Sequence, residues 1–496
     1  MILFHVSKER GIFVNYVELS VFIAYFIFMV AIGLYFFSKS KGAGEKDYFL
    51  GGRNMGAWVS ALSAGASDMS AWVLMGLPAS IYLSGMGQTW IAIGLGIGYA
   101  VSWIVMAPRL RRFSIAAGDS ITIPQYLTNR FLSKNKSLQI LSAVIFLVAY
   151  TIYAASSIKA CGTLFHTVMD VNPTVAMYIA AFIIVAYTFL GGFSAVCWTD
   201  FFQGMIMLAA LLIAPLFALA LAKAGDGAAT GAALPDGFFN FFTTPQDIIS
   251  GLGWGLGYFG MPHIIIRFMS LKSEKELRKS SVIGISWTTI ILIMSALTAV
   301  AGRLYLGEID DPSTVFITMV RRIFPALVSG LLLSAILSAA MSTADSQLLA
   351  ASSAFASDVY KPVIRKKASD SEMLWAGRIV VIVIAVVALM IASDPNSGSI
   401  MGLVENAWGV FGAAFGPVIL LSLFWKRLTF GGTVAGIAAG AAVDILWLVF
   451  LSSTDIYEIV PGFAAGLLAA VVVSLLSKGP GKDVEDLFDR AVDLKS

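Results

Sequence analysis

The first residue of this sequence that could take part in chemistry is an aspartate within an apolar stretch. Asp68 lies near the middle of the stretch at 56–82, inside the segment SAGASDMSAWVLMGLP (63–78). Burying a charge in an apolar segment of this length is costly, so such a residue is a functional candidate by default. Two interpretations stay open: Asp68 caps a half-helix, or it binds a cation where a helix is interrupted.

Hydroxyl side chains form a second candidate set in the stretch at 326–353. Serines recur there every four residues, which aligns them on one face of a helix: Ser334, Ser338, Ser342 and Ser346. Hard cations prefer oxygen ligands. The hydroxyls of Ser342 and Thr343 could therefore join backbone carbonyls of an interrupted helix, whereas Ser334 and Ser338 are better explained as a packing ridge of small residues.

Three further polar residues could line a cation exit path or a second cation site. Asp345 and Ser346 lie about one helical turn beyond Ser342, and Asp200 lies in GGFSAVCWTDFFQG. For Asp200 an equally weighted alternative is an acid near a helix N-terminus, stabilised by the helix dipole. Glu405 and Asp444 are expected to be paired or near an interface, and we assign them no function.

Aromatic side chains could form the wall of a pocket for a small amphipathic solute. Trp254 and Tyr258 are four residues apart in the stretch at 247–266, which predicts that both rings share one helix face. Tyr153 and Trp72 are expected at the same depth. The alternative is that these rings are core packing or an interfacial belt.

Composition fixes the class of protein that holds these residues. Of 496 residues, 58% are apolar and 13% are charged, and the mean hydropathy is +0.84. Soluble proteins carry about 25% charge, so a soluble enzyme, a disordered chain and a nucleic-acid binder are excluded. The apolar runs are continuous rather than alternating, which excludes a porin-type barrel. No Walker A, HExxH or cysteine signature occurs.

The apolar runs predict an all-α polytopic membrane protein with about thirteen spans. With the N-terminus outside and the C-terminus inside, most of the 33 Lys and Arg residues fall on the inner side, as the positive-inside rule requires. The predicted spans are 15–37, 56–82, 87–107, 139–163, 174–190, 197–222, 247–266, 281–302, 326–353, 374–393, 399–424, 430–451 and 456–477.

Two of these spans carry helix breakers at corresponding places. The second contains SAGASDMSAWVLMGLP, and the seventh contains GLGWGLGYFGMPH (251–263). Such a pair is the best sequence pointer to a transporter site. The spans are five apart, which predicts an inverted repeat with a core at about 56–424. The spans at 15–37, 430–451 and 456–477 are peripheral, and residues 1–496 form a single transporter domain.

Five motifs in order resemble the solute:sodium symporter family. They are LGGRNMG (50–56), SAGASDMSAW (63–72), GGFSAVCWTD (191–200), GWGLGYFGMPH (253–263) and SAAMSTADSQ (338–347). The resemblance, which extends from about Asp47 to Phe424, is strongest to the members that carry proline. It implies a LeuT-like fold with a 5+5 inverted repeat in the inner membrane, and a transporter rather than an enzyme.

The resemblance also implies roles for individual residues. Na⁺ would be bound by the carbonyls of Ala66, Met69 and Ala339 and by the hydroxyls of Ser342 and Thr343. Asp68 matches an acid needed for sodium-coupled uptake, and Arg53 and Asp200 match positions associated with coupling and the inner sodium route. The L-proline site would comprise Ser70, Ala71, Trp72, Tyr153, Trp254, Tyr258 and Pro262, with Ala71 replacing the Gly of other proline carriers.

The sequence thus predicts Na⁺-coupled uptake of L-proline across a lipid bilayer. The nearest alternative is the same mechanism with another small solute: another amino acid, pantothenate, a sugar or sialic acid. A cation channel would need a selectivity ring, and a transporter-like sensor would need an output domain after the last span. Neither feature is evident in the sequence.

Overall fold

Backbone amides and carbonyls inside a bilayer must be satisfied within the chain, which favours helices throughout. The structure is a computed structural model that describes residues 15–39, 45–169, 171–225 and 234–494. Within these ranges the regular structure is helical, and the only β-type pairing is an isolated bridge between Met55 and Leu271. The predicted all-α class is therefore confirmed. Residues 1–14, on which the predicted outer N-terminus depends, lie outside the described residues.

The α-helices of the described ranges follow one another without a separate soluble domain between them. In chain order they are α1 (Tyr16–Lys39), α2 (Glu45–Leu50), α3 (Ala57–Asp68), α4 (Gly76–Ser84), α5 (Thr89–Val101), α6 (Ala107–Ala116), α7 (Ile123–Arg130), α8 (Ser137–Met169), α9 (Pro173–Lys223), α10 (Pro245–Gly253), α11 (Pro262–Ser270), α12 (Glu274–Leu306), α13 (Val315–Ile323), α14 (Ala326–Ser353), α15 (Asp370–Ser393), α16 (Ile400–Phe424), α17 (Phe430–Phe450), α18 (Ile459–Leu476) and α19 (Lys482–Asp493).

Ten helices within the described residues are long and apolar enough to cross a membrane. The remaining three predicted spans are interrupted or bent in the structure. The stretch at 56–82 is divided between α3 and α4, and the stretch at 247–266 between α10 and α11. The stretch at 174–190 is the first part of α9, which bends at Gly192, where φ is +62°. The number thirteen stays a prediction.

The first break separates α3 from α4 next to Asp68. Met69 leaves helical geometry (φ −78°, ψ 65°). The next residue, Ser70, is also non-helical, and its side chain accepts a hydrogen bond from the backbone amide of Trp72. One turn of 3₁₀-helix at 71–73 then leads into α4. Backbone groups near Asp68 are thereby released from regular helix bonding, which is tolerated at such depth only beside a cavity or a partner.

The second break separates α10 from α11. Thr244 and Asp247 form a reciprocal capping box that starts α10, and the chain tightens into a 3₁₀-helix at 254–259. Met261 is extended, and Pro262 occupies the first turn of α11, where its missing amide hydrogen costs no helix bond. Both predicted interruptions are therefore present, and each is set by local sequence.

Close helix packing brings the first break against α14. Helix α3 contacts α9, α11, α12 and α14. Gly65 permits the approach of α12, because a Cβ atom there would lie 2.6 Å from the ring of Trp287. The candidate residues of α3, α9, α11 and α14 consequently converge in the middle of the helix bundle.

Candidate substrate and cation site

Asp68 connects the two interrupted helices. Its side chain is buried, and Oδ2 accepts a hydrogen bond from the Tyr258 hydroxyl at 2.5 Å. Within the described residues Asp68 makes no ion pair with a basic side chain. A buried carboxylate is costly unless a charge or several donors compensate it, and no described side chain supplies that charge here.

Backbone and hydroxyl oxygens meet at Ala66, two residues before Asp68. The Ser342 hydroxyl donates to the Ala66 carbonyl at 2.8 Å and lies 3.3 Å from the Ala339 carbonyl. Thr343 is fully buried, and its hydroxyl has no hydrogen-bond partner in the described part of the chain. Met69 is the residue at which α3 stops. The structure thus brings together three of the five residues predicted to bind Na⁺: Ala66, Ala339 and Ser342. The other two, Met69 and Thr343, are buried and follow Ala66 and Ser342 closely in the chain.

Asp200 is held in a buried ion pair. Its Oδ2 accepts from Arg267 Nη2 at 3.1 Å and from the Ser63 hydroxyl at 2.6 Å. The Ser346 hydroxyl lies 3.4 Å from the same oxygen and accepts from Arg267 Nη2 at 2.5 Å. Asp345 is also fully buried on α14. Asp200 and Ser346 are therefore close together, as predicted, but the Arg267 guanidinium bonds to both of them.

The interpretation of Asp200 as an interfacial helix-end acid is wrong, because the carboxylate is fully buried and paired. Sequence reasoning missed Arg267, which directly follows the predicted span at 247–266. One signal was available: a single arginine inside the apolar run HIIIRFMS, directly after a predicted break. A charge at such a position requires a buried partner.

A hydrogen-bond chain that the sequence did not reveal supports α11. Tyr150 Oη accepts from the backbone amide of His263 at 2.8 Å, and His263 Nε2 lies 3.2 Å from the Ser67 carbonyl. Arg267 also donates to the His263 carbonyl. These bonds tie the start of α11 to α8 and to the turn before Asp68.

Arg53 lies apart from Asp200, in a separate polar cluster. Its guanidinium donates to Asp119 at 2.8 Å, to the Met269 carbonyl at 2.5 Å and to the Ser120 carbonyl at 2.9 Å. Although burial acts in the opposite direction, Lys46 and Arg53 hold the pKa of Asp119 below its usual value. Arg53 thereby joins the segment before α3, the end of α11 and the loop before α7.

The predicted aromatic residues are all buried, but Trp254 and Tyr258 are not aligned as they would be on one face of an α-helix. Both lie in a 3₁₀-helix with three residues per turn, so a spacing of four separates them by about 120°. The Trp254 ring lies 6.3 Å from that of Trp72 and 5.0 Å from that of Tyr457. Tyr258 faces Asp68, and both rings pack on Trp408, which sequence reasoning missed, at centroid distances of 6.4 Å for Trp254 and 5.1 Å for Tyr258.

The remaining predicted substrate residues surround the two breaks. Ser70 and Ala71 begin the short 3₁₀ turn after Asp68, and Pro262 begins α11. Tyr153 is buried with its ring centroid 6.3 Å from that of His263, and its hydroxyl has no hydrogen-bond partner within the described residues. These positions form one region, with donors and aromatic faces on several helices.

Comparison with known proteins gives the site a family. Residues 48–440 match the model of the sodium:solute symporter family. The chain is 43% identical over 475 residues to the high-affinity proline transporter PutP of Bacillus subtilis, covering 94% of this chain and 100% of the relative. It is 44% identical over 495 residues to the sodium/proline symporter of Haemophilus influenzae, covering 96% and 97%.

Solved structures share the fold at lower identity. A Na⁺-coupled sialic acid symporter in a substrate-bound, outward-open state matches with a TM-score of 0.77 at 20% identity, covering 93% of this chain and 98% of that one. Mhp1, a nucleobase-cation-symport-1 transporter, matches with a TM-score of 0.57 at 16% identity, covering 89% and 98%. The LeuT-like fold is therefore confirmed, and the chain belongs to the sodium:solute symporter family.

Proposed function

We propose that this chain couples inward movement of Na⁺ to uptake of L-proline. The observation that carries the proposal is the meeting of the Ala66, Ala339 and Ser342 oxygens at an interrupted helix, which ends at the buried carboxylate of Asp68. Relatives at 43% and 44% identity carry the names of proline transporters. Sodium is the co-transported ion of the family.

Na⁺ binding would use neutral oxygens next to a single carboxylate. The ligands would be the carbonyls of Ala66, Met69 and Ala339 with the hydroxyls of Ser342 and Thr343, since hard cations take oxygen ligands. In this arrangement the Ser342 hydroxyl turns from the Ala66 carbonyl to the ion. Asp68 supplies a charge that no described side chain neutralises, which makes occupancy by a cation favourable.

Asp200, Asp345 and Ser346 would line the inward path of the released ion. The Arg267 guanidinium already neutralises Asp200, so that carboxylate attracts Na⁺ more weakly than Asp68 does. Arg53 would act at a distance, by holding α11 and the segment before α3 together through its bonds to Asp119 and the Met269 carbonyl.

L-Proline offers an apolar ring, a carboxylate and a secondary ammonium. The amides of Ser70 and Ala71 lie just past the end of α3, where freed donors could receive the carboxylate. Trp72, Tyr153 and Trp254 would pack on the ring, and an indole face also attracts an ammonium. Tyr258 and Pro262 would complete the pocket. The alternative is the same Na⁺ mechanism with another small solute.

The orientation follows from the distribution of basic residues. We place the protein in the bacterial plasma membrane with the N-terminus outside and the C-terminus inside. The start of α10, the start of α16 and the end of α17 then face outward. We also propose the core at about 56–424 as a five-plus-five inverted repeat, supported by the matched interruptions in α3–α4 and α10–α11.

One Na⁺ per solute provides a sufficient driving force. Each inward charge contributes about 2.3 kcal/mol per 100 mV, and a tenfold Na⁺ gradient adds about 1.4 kcal/mol. Together these support a solute gradient of roughly 400-fold. Coupling requires only that the solute binds more tightly to the Na⁺-loaded protein than to the empty protein.

Uptake of labelled L-proline into proteoliposomes tests the proposal. We expect accumulation only with an inward Na⁺ gradient, and stronger accumulation with the interior negative. Sialic acid, a sugar and pantothenate at tenfold excess should compete poorly. Efficient competition by one of them, with Na⁺ dependence retained, would favour the alternative solute; uptake without Na⁺ dependence would overturn the mechanism.

The proposed pocket can be tested separately by proline binding to purified protein at saturating Na⁺. Substitution of Trp254 or Tyr258 by Ala should weaken proline binding more than it weakens Na⁺ binding measured without proline. Tyr258→Phe separates the hydroxyl from the ring. If both alanine variants bind proline as the wild type does, the pocket lies on another face of the bundle.

A further inference from the structure

Buried carboxylates without partners meet at the outward end of the bundle. Asp444 is fully buried, Glu458 is 6% exposed, and both Asp444 oxygens and Glu458 Oε1 have no hydrogen-bond partner in the described part of the chain. The two side chains meet over Gly409. A Cβ atom there would lie 2.9 Å from Asp444 Oδ1 and 3.4 Å from Glu458 Cγ. Neither acid makes an ion pair among the described residues.

Glu458 of this pair lines a cavity of about 580 Å³. Its wall includes the acids Asp247, Glu405, Asp455 and Glu458, and no Lys, Arg or His is among its lining residues. We call Glu405, Asp444 and Glu458 the acidic corner. Of the two alternatives expected for Glu405 and Asp444, pairing is not met within the described residues, because neither makes an ion pair there; a place near an interface stays a prediction. Asp247 differs from them, since its carboxylate caps α10 through Thr244.

The acidic corner adjoins the aromatic layer over the central site. The Tyr457 hydroxyl donates to the Glu405 carbonyl at 2.8 Å. The Tyr457 ring lies 5.0 Å from that of Trp254, which lies 6.3 Å from that of Trp72. Trp72 follows the break at Asp68 by four residues. A cation in the cavity is therefore separated from the proposed Na⁺ site by this layer of rings.

Carboxylates concentrated on one side of a cleft create a field that accumulates cations and excludes anions. Low-dielectric walls focus that field, so a lined cleft raises the local cation concentration and the association rate. Buried acids without basic neighbours are also costly unless a cation or proton accompanies them. Both effects favour a hard cation in the acidic corner, with oxygen ligands and water around it.

We propose that the acidic corner is an outer cation-capture site that draws external Na⁺ into the cavity above Trp254. The proposal rests on the Na⁺-coupled function proposed above. The corner raises the Na⁺ concentration at the mouth of the central site, and it contributes no ligand to Na⁺ in that site. Its removal lowers the apparent Na⁺ affinity without changing proline binding at saturating Na⁺.

The test compares the Na⁺ requirement for proline binding to purified full-length protein at two ionic strengths, set with N-methylglucamine chloride. At about 10 mM the Debye length is about 30 Å. We expect Glu405→Gln to raise the half-maximal Na⁺ concentration about twofold, and the triple variant with Asp444→Asn and Glu458→Gln to raise it about fivefold. At about 1 M, where the Debye length is about 3 Å, the differences should largely vanish.

A matched control is Glu308→Gln, an acid that is 91% exposed beyond the end of α12. It should leave the Na⁺ requirement unchanged. If the triple variant does not fold, Glu405→Gln alone decides the question, because Glu405 is only partly buried. A wild-type Na⁺ requirement in the folded variants overturns the proposal, and so does an increase that is equal at both ionic strengths. Loss of Na⁺ dependence in the wild type would instead refute the proposed function.

Discussion

Asp68 and Asp200 are both buried carboxylates in the core of this transporter, yet their charges are balanced in different ways. Asp200 accepts from the Arg267 guanidinium at 3.1 Å and from Ser63 at 2.6 Å. Asp68 accepts from the Tyr258 hydroxyl at 2.5 Å, and no ion pair with a basic side chain is found for it among the described residues. One carboxylate is neutralised by the chain. For the other, no described side chain supplies a counter-charge, and we propose that Na⁺ does.

Under the proposed function, this difference separates a structural charge at Asp200 from a coupling charge at Asp68. A fixed guanidinium stabilises Asp200 through every state in which α9 and α11 stay together. A mobile ion at Asp68 would stabilise only the loaded state, which is the differential affinity that coupling requires. The comparison predicts that variants at Asp200 act mainly on stability, whereas variants at Asp68 act mainly on Na⁺ dependence.

The largest effect is expected from breaking the Asp200 pair. Arg267→Gln leaves a buried carboxylate without its cation and should lower the free energy of unfolding by about 3–5 kcal/mol. The double variant Arg267→Gln with Asp200→Asn removes both charges and should recover most of that loss. Unfolding of the purified variants in detergent measures this cycle; strictly additive losses would show that the pair is not the source of the stability.

The next effect concerns Asp68. Asp68→Asn should abolish Na⁺ stimulation of proline uptake or raise the Na⁺ requirement about 10- to 100-fold, since a contact to a charged group contributes about 1.5–3 kcal/mol. The protein should still reach the membrane. Tyr258→Phe is the matched variant, because it retains the charge and should shift the Na⁺ requirement less. If Asp68→Asn retains wild-type Na⁺ dependence, Asp68 only caps a half-helix and does not bind the cation.

A smaller effect is expected from the hydroxyls of α14. Ser342→Ala and Thr343→Ala should each raise the half-maximal Na⁺ concentration about fivefold, because a neutral ligand contributes about 1 kcal/mol. Ser334→Ala is the control, since that hydroxyl bonds to the Gly330 carbonyl of its own helix. If all three variants have the same half-maximal Na⁺ concentration, the hydroxyls of Ser342 and Thr343 do not bind Na⁺, and this face of α14 serves only for helix packing.

Both interruptions and the all-α class could be predicted from the sequence, because Gly, Ser and Pro inside apolar runs have strong local effects on the backbone. The contact of Ser342 with the Ala66 and Ala339 carbonyls was expected through the family resemblance. Local spacing alone could not supply it, because Ala66 and Ser342 are 276 residues apart in the chain. Long-range pairs of this kind depend on helix packing.

Two features of the site could not be predicted from the sequence, and each has a physical reason. Arg267 looked like an inner-loop residue, because basic residues near a span end usually face the cytoplasm, and only the fold reveals its partner Asp200. The faces of Trp254 and Tyr258 were misjudged because the segment is a 3₁₀-helix, whose period differs from that of an α-helix.

Thermodynamic reciprocity between Na⁺ and proline tests the central claim most directly. The dissociation constant of proline is measured with purified protein at zero and saturating Na⁺, and that of Na⁺ with and without proline. Linkage requires that both ratios agree, and we predict a ratio of at least tenfold in the wild type that falls toward one in Asp68→Asn. A proline dissociation constant that does not change with Na⁺ would contradict the account.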